Sequence, residues 1–278
     1  MKTLRNHTIL FDAECPMCSV YTKAFVHTGM LDNQGRQPYQ ERGNICANVD
    51  MQRAVNEIAL VDNNTGQVTY GVRSIFKVLG HSLPLLKPIL NFKPFLWLME
   101  KAYAFISYNR RVIIPANLHL GDQALQPTSR KDYRILYLLF TCFITASILF
   151  FYTPLLYPLF PHGNLYREYL VCFGQVFFQG MIAACFHRDK LWDYLGNMMT
   201  ISFAGALLLF PLVILSNWIF IQPLFSLVYF ATVVALMLLE HIRRSKLLHI
   251  GWSMTITWVI YRAAVLLVIL KIAGYEIF

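Results

Sequence analysis

The sequence predicts a chain of two unlike parts. A small α/β domain occupies residues 1–115, a linker 116–131, and an α-helical membrane domain of about five transmembrane helices 132–278. Three observations predict this. Hydrophobic residues make up 56% of the chain against 14% charged, an apolar excess over ordinary soluble proteins. The excess is confined: residues 1–131 are a soluble-looking mixture with most of the acidic groups, while 132–278 are mainly Leu, Ile, Val, Phe, Ala and Tyr. Finally, a dithiol, Cys15-Pro16-Met17-Cys18, follows a short apolar run, Thr8-Ile9-Leu10-Phe11, and precedes a helix-like stretch.

Taken in order, His7 to Phe11 has the length and content of a buried strand. Asp12-Ala13-Glu14 turns the chain, and a helix is expected from Pro16 to about Thr28, stopping near Gly29, with Val20, Ala24 and Phe25 at helical spacing. A short strand is expected near Gln37–Gln40. Glu57 to Val61 alternates as a strand, Asp62-Asn63-Asn64-Thr65-Gly66 turns, and Gln67 to Tyr70 returns, which makes a hairpin. Helices follow at Val72–Leu79, near Leu85–Leu90 and at Pro94–Tyr108, punctuated by Pro84, Pro88 and Pro94. Strand, Cys-x-x-Cys helix, weak strand, hairpin and helix is the order of a thioredoxin-like domain. Asn109 to Arg130 is polar and irregular and is expected to connect the two parts.

Five apolar segments come next, near Tyr133–Tyr152, Tyr166–Phe186, Tyr194–Leu215, Trp218–Leu239 and Ile250–Ala273. Each reaches the roughly 20 residues a helix needs to cross a bilayer core, and Tyr133, Tyr157, Tyr166, Trp192 and Trp218 mark their ends as interfacial aromatics do. The loops set an orientation. His187-Arg188-Asp189-Lys190 and Arg243-Arg244-Ser245-Lys246 are basic, as are Arg130 and Lys131, whereas Thr153–Leu165 and Ser216–Gln222 carry no Lys or Arg. With the basic side cytoplasmic, the first domain is expected in the cytoplasm and the C-terminus outside, in a multi-pass protein of a bacterial inner membrane. No signal peptide is expected before the first strand, since after Lys2, Arg5 and His7 the apolar run before Asp12 is only the four residues Thr8-Ile9-Leu10-Phe11. The net charge of +9 lies largely beside the apolar segments, so anionic lipid is the expected partner. No basic run with interleaved aromatics suggests nucleic acid.

Six cysteines in a chain this long do not make a disulfide framework. Cys142, Cys172 and Cys185 fall in apolar segments, where a free Cys is a small packing residue. Thiol-disulfide exchange needs one accessible thiolate and a second thiol to resolve the mixed disulfide; Cys15 and Cys18 supply both, one helical turn apart. A helix N-terminus lowers a thiol pKa, and Pro16 suits the first helical position, where its missing N–H costs nothing. Cys15 is thus the expected attacking thiol and Cys18 the resolving one. Asp12 and Glu14 are nearby negative charges, expected to push the Cys15 pKa upward; alternatively Asp12 acts as a proton acceptor. No cofactor beyond the dithiol is expected. A zinc site wants about four ligands, and beyond the pair this part offers Cys46, His7 and His27 with no second Cys-x-x-Cys, so the spacing favours redox chemistry. A dithiol retained only within a binding fold is the remaining option.

Phe11-Asp12-Ala13-Glu14-Cys15-Pro16-Met17-Cys18 resembles the signature of the DCC family of thiol-disulfide oxidoreductases: an Asp, a Cys three residues later, then Cys-x-x-Cys spacing. Ile58-Ala59-Leu60-Val61-Asp62, Gly66-Gln67-Val68, Val72-Arg73-Ser74-Ile75 with Leu79-Gly80, and Tyr108-Asn109-Arg110-Arg111 resemble its later landmarks, so the resemblance covers roughly residues 7–115. It implies a thioredoxin-like fold and a protein-disulfide reductase activity, with Asp12, Cys15 and Cys18 as the motif positions. Ordinary thioredoxins carry a cis-proline before the hairpin strand; here Asn56 and Glu57 precede it.

In the membrane part, Arg262 falls near the middle of the last span, where a charge costs at least about 2.5 kcal/mol on insertion scales. Gln175 and Gln179, one turn apart in the second span, are placed to face it. Arg262, Gln175 and Gln179 form either a site for an anionic or polar headgroup or a packing contact. His187, Glu240, His241 and His249 fall near the cytoplasmic ends of spans, as a polar or metal cluster or as plain solvated residues. The sequence therefore points to a membrane-anchored thiol-disulfide oxidoreductase acting on a membrane-proximal thiol or disulfide protein. The alternative is a membrane transport or lipid-handling protein whose thioredoxin-like domain regulates or docks.

Overall fold

The computed structural model describes residues 2–41, 48–115, 128–161 and 166–272. Cys46, most of the expected linker and the C-terminal residues 273–278 lie outside them. The chain divides into two units, Met1–Tyr133 and Arg134–Phe278.

The first unit is built on a mixed sheet of four strands among the described residues, in the order β2-β1-β3-β4. Strand β1 (His7–Phe11) pairs in parallel with β2 (Arg36–Pro38) and antiparallel with β3 (Ala59–Asp62), and β4 (Val68–Tyr70) pairs antiparallel with β3. Side chains of a strand alternate between faces. Ile9 and Leu60 therefore face one layer, with Phe25 of α1 (Pro16–His27) and Val78 of α3 (Val72–Ser82). Leu10, Ala59 and Val61 face the other, with Ala54 and Val55 of α2 (Met51–Asn56). The helix α2 was not expected from the sequence; Asp50 starts it by accepting a hydrogen bond from the Arg53 N–H at 3.1 Å.

After α3 come a 3-10 turn at Pro84–Leu86, a short α4 (Lys87–Leu90) and a long α5 (Lys93–Ile113). Helix α5 runs past the expected end at Tyr108. The polar stretch Asn109–Val112 extends it because Asn109, Arg110 and Val112 are buried.

The second unit consists, among the described residues, of five long helices: α6 (Lys131–Tyr152, whose first residues belong to the first unit), α7 (Arg167–Phe186), α8 (Leu191–Leu215), α9 (Pro223–Leu247) and α10 (Ser253–Ile272). All five are long and apolar enough to cross a membrane. Helix α8 is buried without interruption from Tyr194 to Ser202. Large apolar side chains, among them Phe143, Phe177, Phe210, Leu239 and Leu267, are exposed on the outside of this unit, as a surface solvated by lipid requires. Helix α9 begins five residues later than expected because Pro223 takes the first helical position, and it continues two turns past Leu239 through its charged end. A turn with Gly251 at φ 69° separates it from α10.

Candidate active site

Helix α1 presents the dithiol. Cys15 is its N-cap, Pro16 stands at the first helical position, and the Cys15 Sγ accepts a hydrogen bond from the Cys18 backbone N–H at 3.5 Å. Phe11 at the end of β1 packs with both cysteines, and Met17 and Tyr21 close around them. The pair is buried, Cys15 at 5% exposure, and the exposed residues beside it are Ala13 and Pro16.

Behind the pair lies a charge cluster that the sequence did not reveal. Arg110 of α5 donates from Nη2 to the Asp12 carboxylate at 2.8 Å and to the Val55 carbonyl at 2.8 Å. Asp12 is buried and also accepts from the Gln40 side-chain amide at 2.9 Å and the Glu14 N–H at 3.1 Å. Arg111 pairs with Glu14 at 3.2 Å and approaches Asp12 at 3.8 Å. Both acidic neighbours of the dithiol are therefore answered by consecutive arginines from a helix almost a hundred residues away.

The expected upward push of Asp12 on Cys15 is present but outweighed. The Cys15 pKa is drawn down from the ordinary 9.0 to about 6, first by the hydrogen bonding from Cys18 and then by the Arg110 charge; burial and Asp12 oppose these and lose. Cys18 is pushed in the other direction, by its hydrogen bond to Cys15 and by burial. The pair therefore holds one thiol drawn down and one pushed up.

Helix α5 also fixes the segment before β3, where thioredoxins carry proline. Tyr103, Ser107 and Arg110 recur at i, i+4 and i+7, one helix face. The Tyr103 hydroxyl accepts from the Ile58 N–H at 3.0 Å, the Ser107 hydroxyl donates to the Asn56 carbonyl, and Arg110 donates to that of Val55. Side chains of a neighbouring helix thus hold this backbone. The one sequence signal for this face was the Tyr108-Asn109-Arg110-Arg111 landmark, whose acid partners only the fold supplies.

The second unit keeps Arg262 and Gln175 together but separates Gln179. The Gln175 Oε1 accepts from Arg262 Nη2 at 3.4 Å, and the guanidinium lies 4.0 Å over the Trp258 ring. Gln179 instead accepts from the Tyr194 hydroxyl at 2.9 Å and the Thr257 hydroxyl at 3.2 Å. Close approach of α7 and α10 sets this up: the Tyr261 hydroxyl donates to the Val171 carbonyl at 2.8 Å, and a Cβ at Gly174 would lie 2.5 Å from that hydroxyl oxygen.

The four-residue cluster of His187, Glu240, His241 and His249 does not form. His241 is buried among Tyr194, Thr255 and Ser245, Glu240 pairs with Arg243 and Arg244, and His249 is exposed. Among the described residues no three His, Cys, Asp or Glu side chains converge as a metal site; Cys46 lies outside them. Cys142 and Cys172 are buried as packing residues should be, but Cys185 is exposed. Comparison of the chain with protein-family models, curated proteins and solved structures gave no match.

Proposed function

We propose that the chain is a membrane-anchored thiol-disulfide oxidoreductase of the protein-disulfide reductase type. The observation that carries this is Cys15 as the N-cap of α1, its sulfur hydrogen-bonded by Cys18 and its pKa drawn to about 6. The mixed four-strand sheet with a Cys-x-x-Cys helix after its first strand supports a thioredoxin-like domain, as the resemblance to the DCC family implies.

In this reading the Cys15 thiolate attacks one sulfur of a partner disulfide and forms a mixed disulfide, while the partner's other sulfur leaves as thiolate and takes a proton. Cys18 then gives up its proton and attacks the Cys15 sulfur, releasing the partner's first thiol. The partner disulfide gains two electrons, and Cys15–Cys18 becomes a disulfide. A cellular thiol reductant returns it to the dithiol, as a cytosolic setting favours. The basic loops at 187–190 and 243–246 favour that setting for the dithiol.

Redox titration of the purified full chain with thiol labelling of Cys15 and Cys18 tests the proposal. The expected result is a reversible pair with a potential between about −180 and −300 mV. Cysteines that never pair, or stoichiometric bound zinc, would overturn it. A Cys18→Ser variant is expected to accumulate a mixed disulfide with its partner, and Cys15→Ser none.

Transport or lipid handling, with the first domain docking or regulating, is the second reading. The Arg262–Gln175 contact in the second unit favours it.

A further inference from the structure

All five helices of the second unit line a cavity of about 640 Å³. Most of its wall is apolar, with Leu149, Met199, Leu209, Phe230 and Met237 among the residues facing it. Its volume falls in the range of about 300–1,000 Å³ that ligand pockets occupy.

The polar groups in this wall are few and unbalanced. Arg262 and Gln175 line it together, Gln175 being 6% exposed. The Gln175 Oε1 accepts from Arg262 at 3.4 Å. The Gln175 Nε2 and the Arg262 Nε are enclosed without a hydrogen-bond partner, as are the Thr145 Oγ1, Glu168 Oε2 and Ser202 Oγ of other residues in this wall. The first two are donors only. Among the described residues no carboxylate pairs with Arg262, whereas the Oε1 of Glu168 is paired with Arg167 at 2.6 Å, both of them also lining the cavity. Glu168 stands two helical turns from Gln175, about 10 Å by helical rise. A guanidinium that lines a mostly apolar cavity, with no carboxylate paired to it among the described residues, calls for an acceptor that carries negative charge.

We propose that this cavity binds an anionic single-chain lipid. Its carboxylate or phosphate head lies on Arg262 and Gln175, and its tail fills the apolar remainder. One head and one acyl chain make a ligand of the size such pockets hold. Trp258, stacked on the guanidinium, holds it in place for the head. This gives the lipid-handling reading a ligand class, and it stands or falls separately from the redox chemistry of Cys15 and Cys18.

Photolabelling of the purified full chain in detergent with a diazirine-bearing palmitate tests the proposal. Saturable labelling is expected on peptides of the cavity-lining helices. Oleate and lysophosphatidate should compete at concentrations at least about tenfold below those oleyl alcohol needs, the factor one charge-assisted hydrogen-bonded contact supplies. Inorganic phosphate should not compete. Arg262→Gln should weaken labelling by about the same factor. Equal competition by oleate and oleyl alcohol would show that the cavity selects tails alone, and displacement by inorganic phosphate would show a site for a free anion; either overturns the proposal. The competition series uses the unaltered chain, so it decides the matter even if Arg262→Gln fails to fold. An inactive dithiol leaves the labelling unchanged, and absent labelling leaves the redox titration unchanged.

Discussion

Each unit sets an arginine among apolar side chains, Arg110 buried and Arg262 part-buried, and the two are treated in opposite ways. Arg110 meets a carboxylate at 2.8 Å, a backbone carbonyl at 2.8 Å and the field of two sulfurs. Arg262 meets one amide oxygen at 3.4 Å and the face of a tryptophan, with no carboxylate paired to it among the described residues. A buried charge persists only if something answers it. In the first unit the answer is internal, and the leftover field tunes a thiol. In the second the answer is incomplete, and the missing part has the chemistry of a ligand. On the two proposals, the same residue type marks a catalytic environment in one place and a binding site in the other.

The largest expected effect breaks the internal pair. Arg110→Met leaves Asp12 buried without its cation and is expected to destabilise the folded chain by about 3–5 kcal/mol. It also removes a charge that favours the Cys15 thiolate, so the midpoint for iodoacetamide alkylation of Cys15 should rise above about 6. Chemical denaturation of the full chain in detergent, with alkylation rates against pH, checks both. An unchanged midpoint would mean that Arg110 does not act on the dithiol.

Asp12→Asn breaks the same pair from the other side and sharpens the comparison by sign. Arg110 keeps the Val55 carbonyl, and the Asn oxygen still accepts from Gln40 and the Glu14 N–H, so the cost should be smaller, about 1.5–3 kcal/mol. Because Asp12 opposes the thiolate, its neutralisation should move the Cys15 midpoint below about 6, opposite to Arg110→Met. Shifts in the same direction would show that both variants act through general damage to the fold.

How much of this was legible in the sequence differs between the two arginines. Arg262 stood out at once, because a cation in the middle of a 20-residue apolar run has no local explanation. Its partner Gln175 was legible too, as a polar residue at matching depth, whereas Gln179 was not separable from it by depth and belongs to Tyr194 and Thr257. Arg110 was hidden inside a polar stretch that reads like a connection, and its partner Asp12 is 98 positions away. The strands, the hairpin and the Cys15 N-cap were legible because alternation, turn residues and Pro16 are local signals. The helix α2 and the last turn of α5 were not, because burial against distant residues decides them.

The reduced dithiol should also couple stability to pH. With the folded Cys15 pKa at about 6 and the unfolded one at the ordinary 9.0, the unfolded chain holds a proton that the folded chain lacks across this interval. Raising pH from about 6 to 9 therefore stabilises the fold, by up to about 1.4 kcal/mol per unit. The contribution is complete above the unfolded pKa and is lost as pH falls through about 6. Cys18, pushed upward, acts only above the ordinary thiol range and with the opposite sign. Urea midpoints of the reduced chain against pH should show this slope, and Cys15→Ser should flatten it. A slope that survives in Cys15→Ser would assign the coupling to other groups.

The smallest expected effect falls on the other arginine. Arg262→Leu removes a charge that, among the described residues, holds no carboxylate in place, so none of these is stranded by its loss. What disappears is one hydrogen bond to Gln175 and the stacking on Trp258, worth about 0.5–2 kcal/mol, offset by relief of burying a guanidinium among apolar helices. Without added lipid, the thermal midpoint in detergent should move by the equivalent of less than about 1 kcal/mol, and the Cys15 alkylation midpoint should not move. With palmitate added, the parent chain should gain stability in proportion to the logarithm of ligand concentration, and Arg262→Leu should gain little. A loss as large as that of Arg110→Met would make Arg262 a structural pin of the same kind, and the contrast between the two units would close.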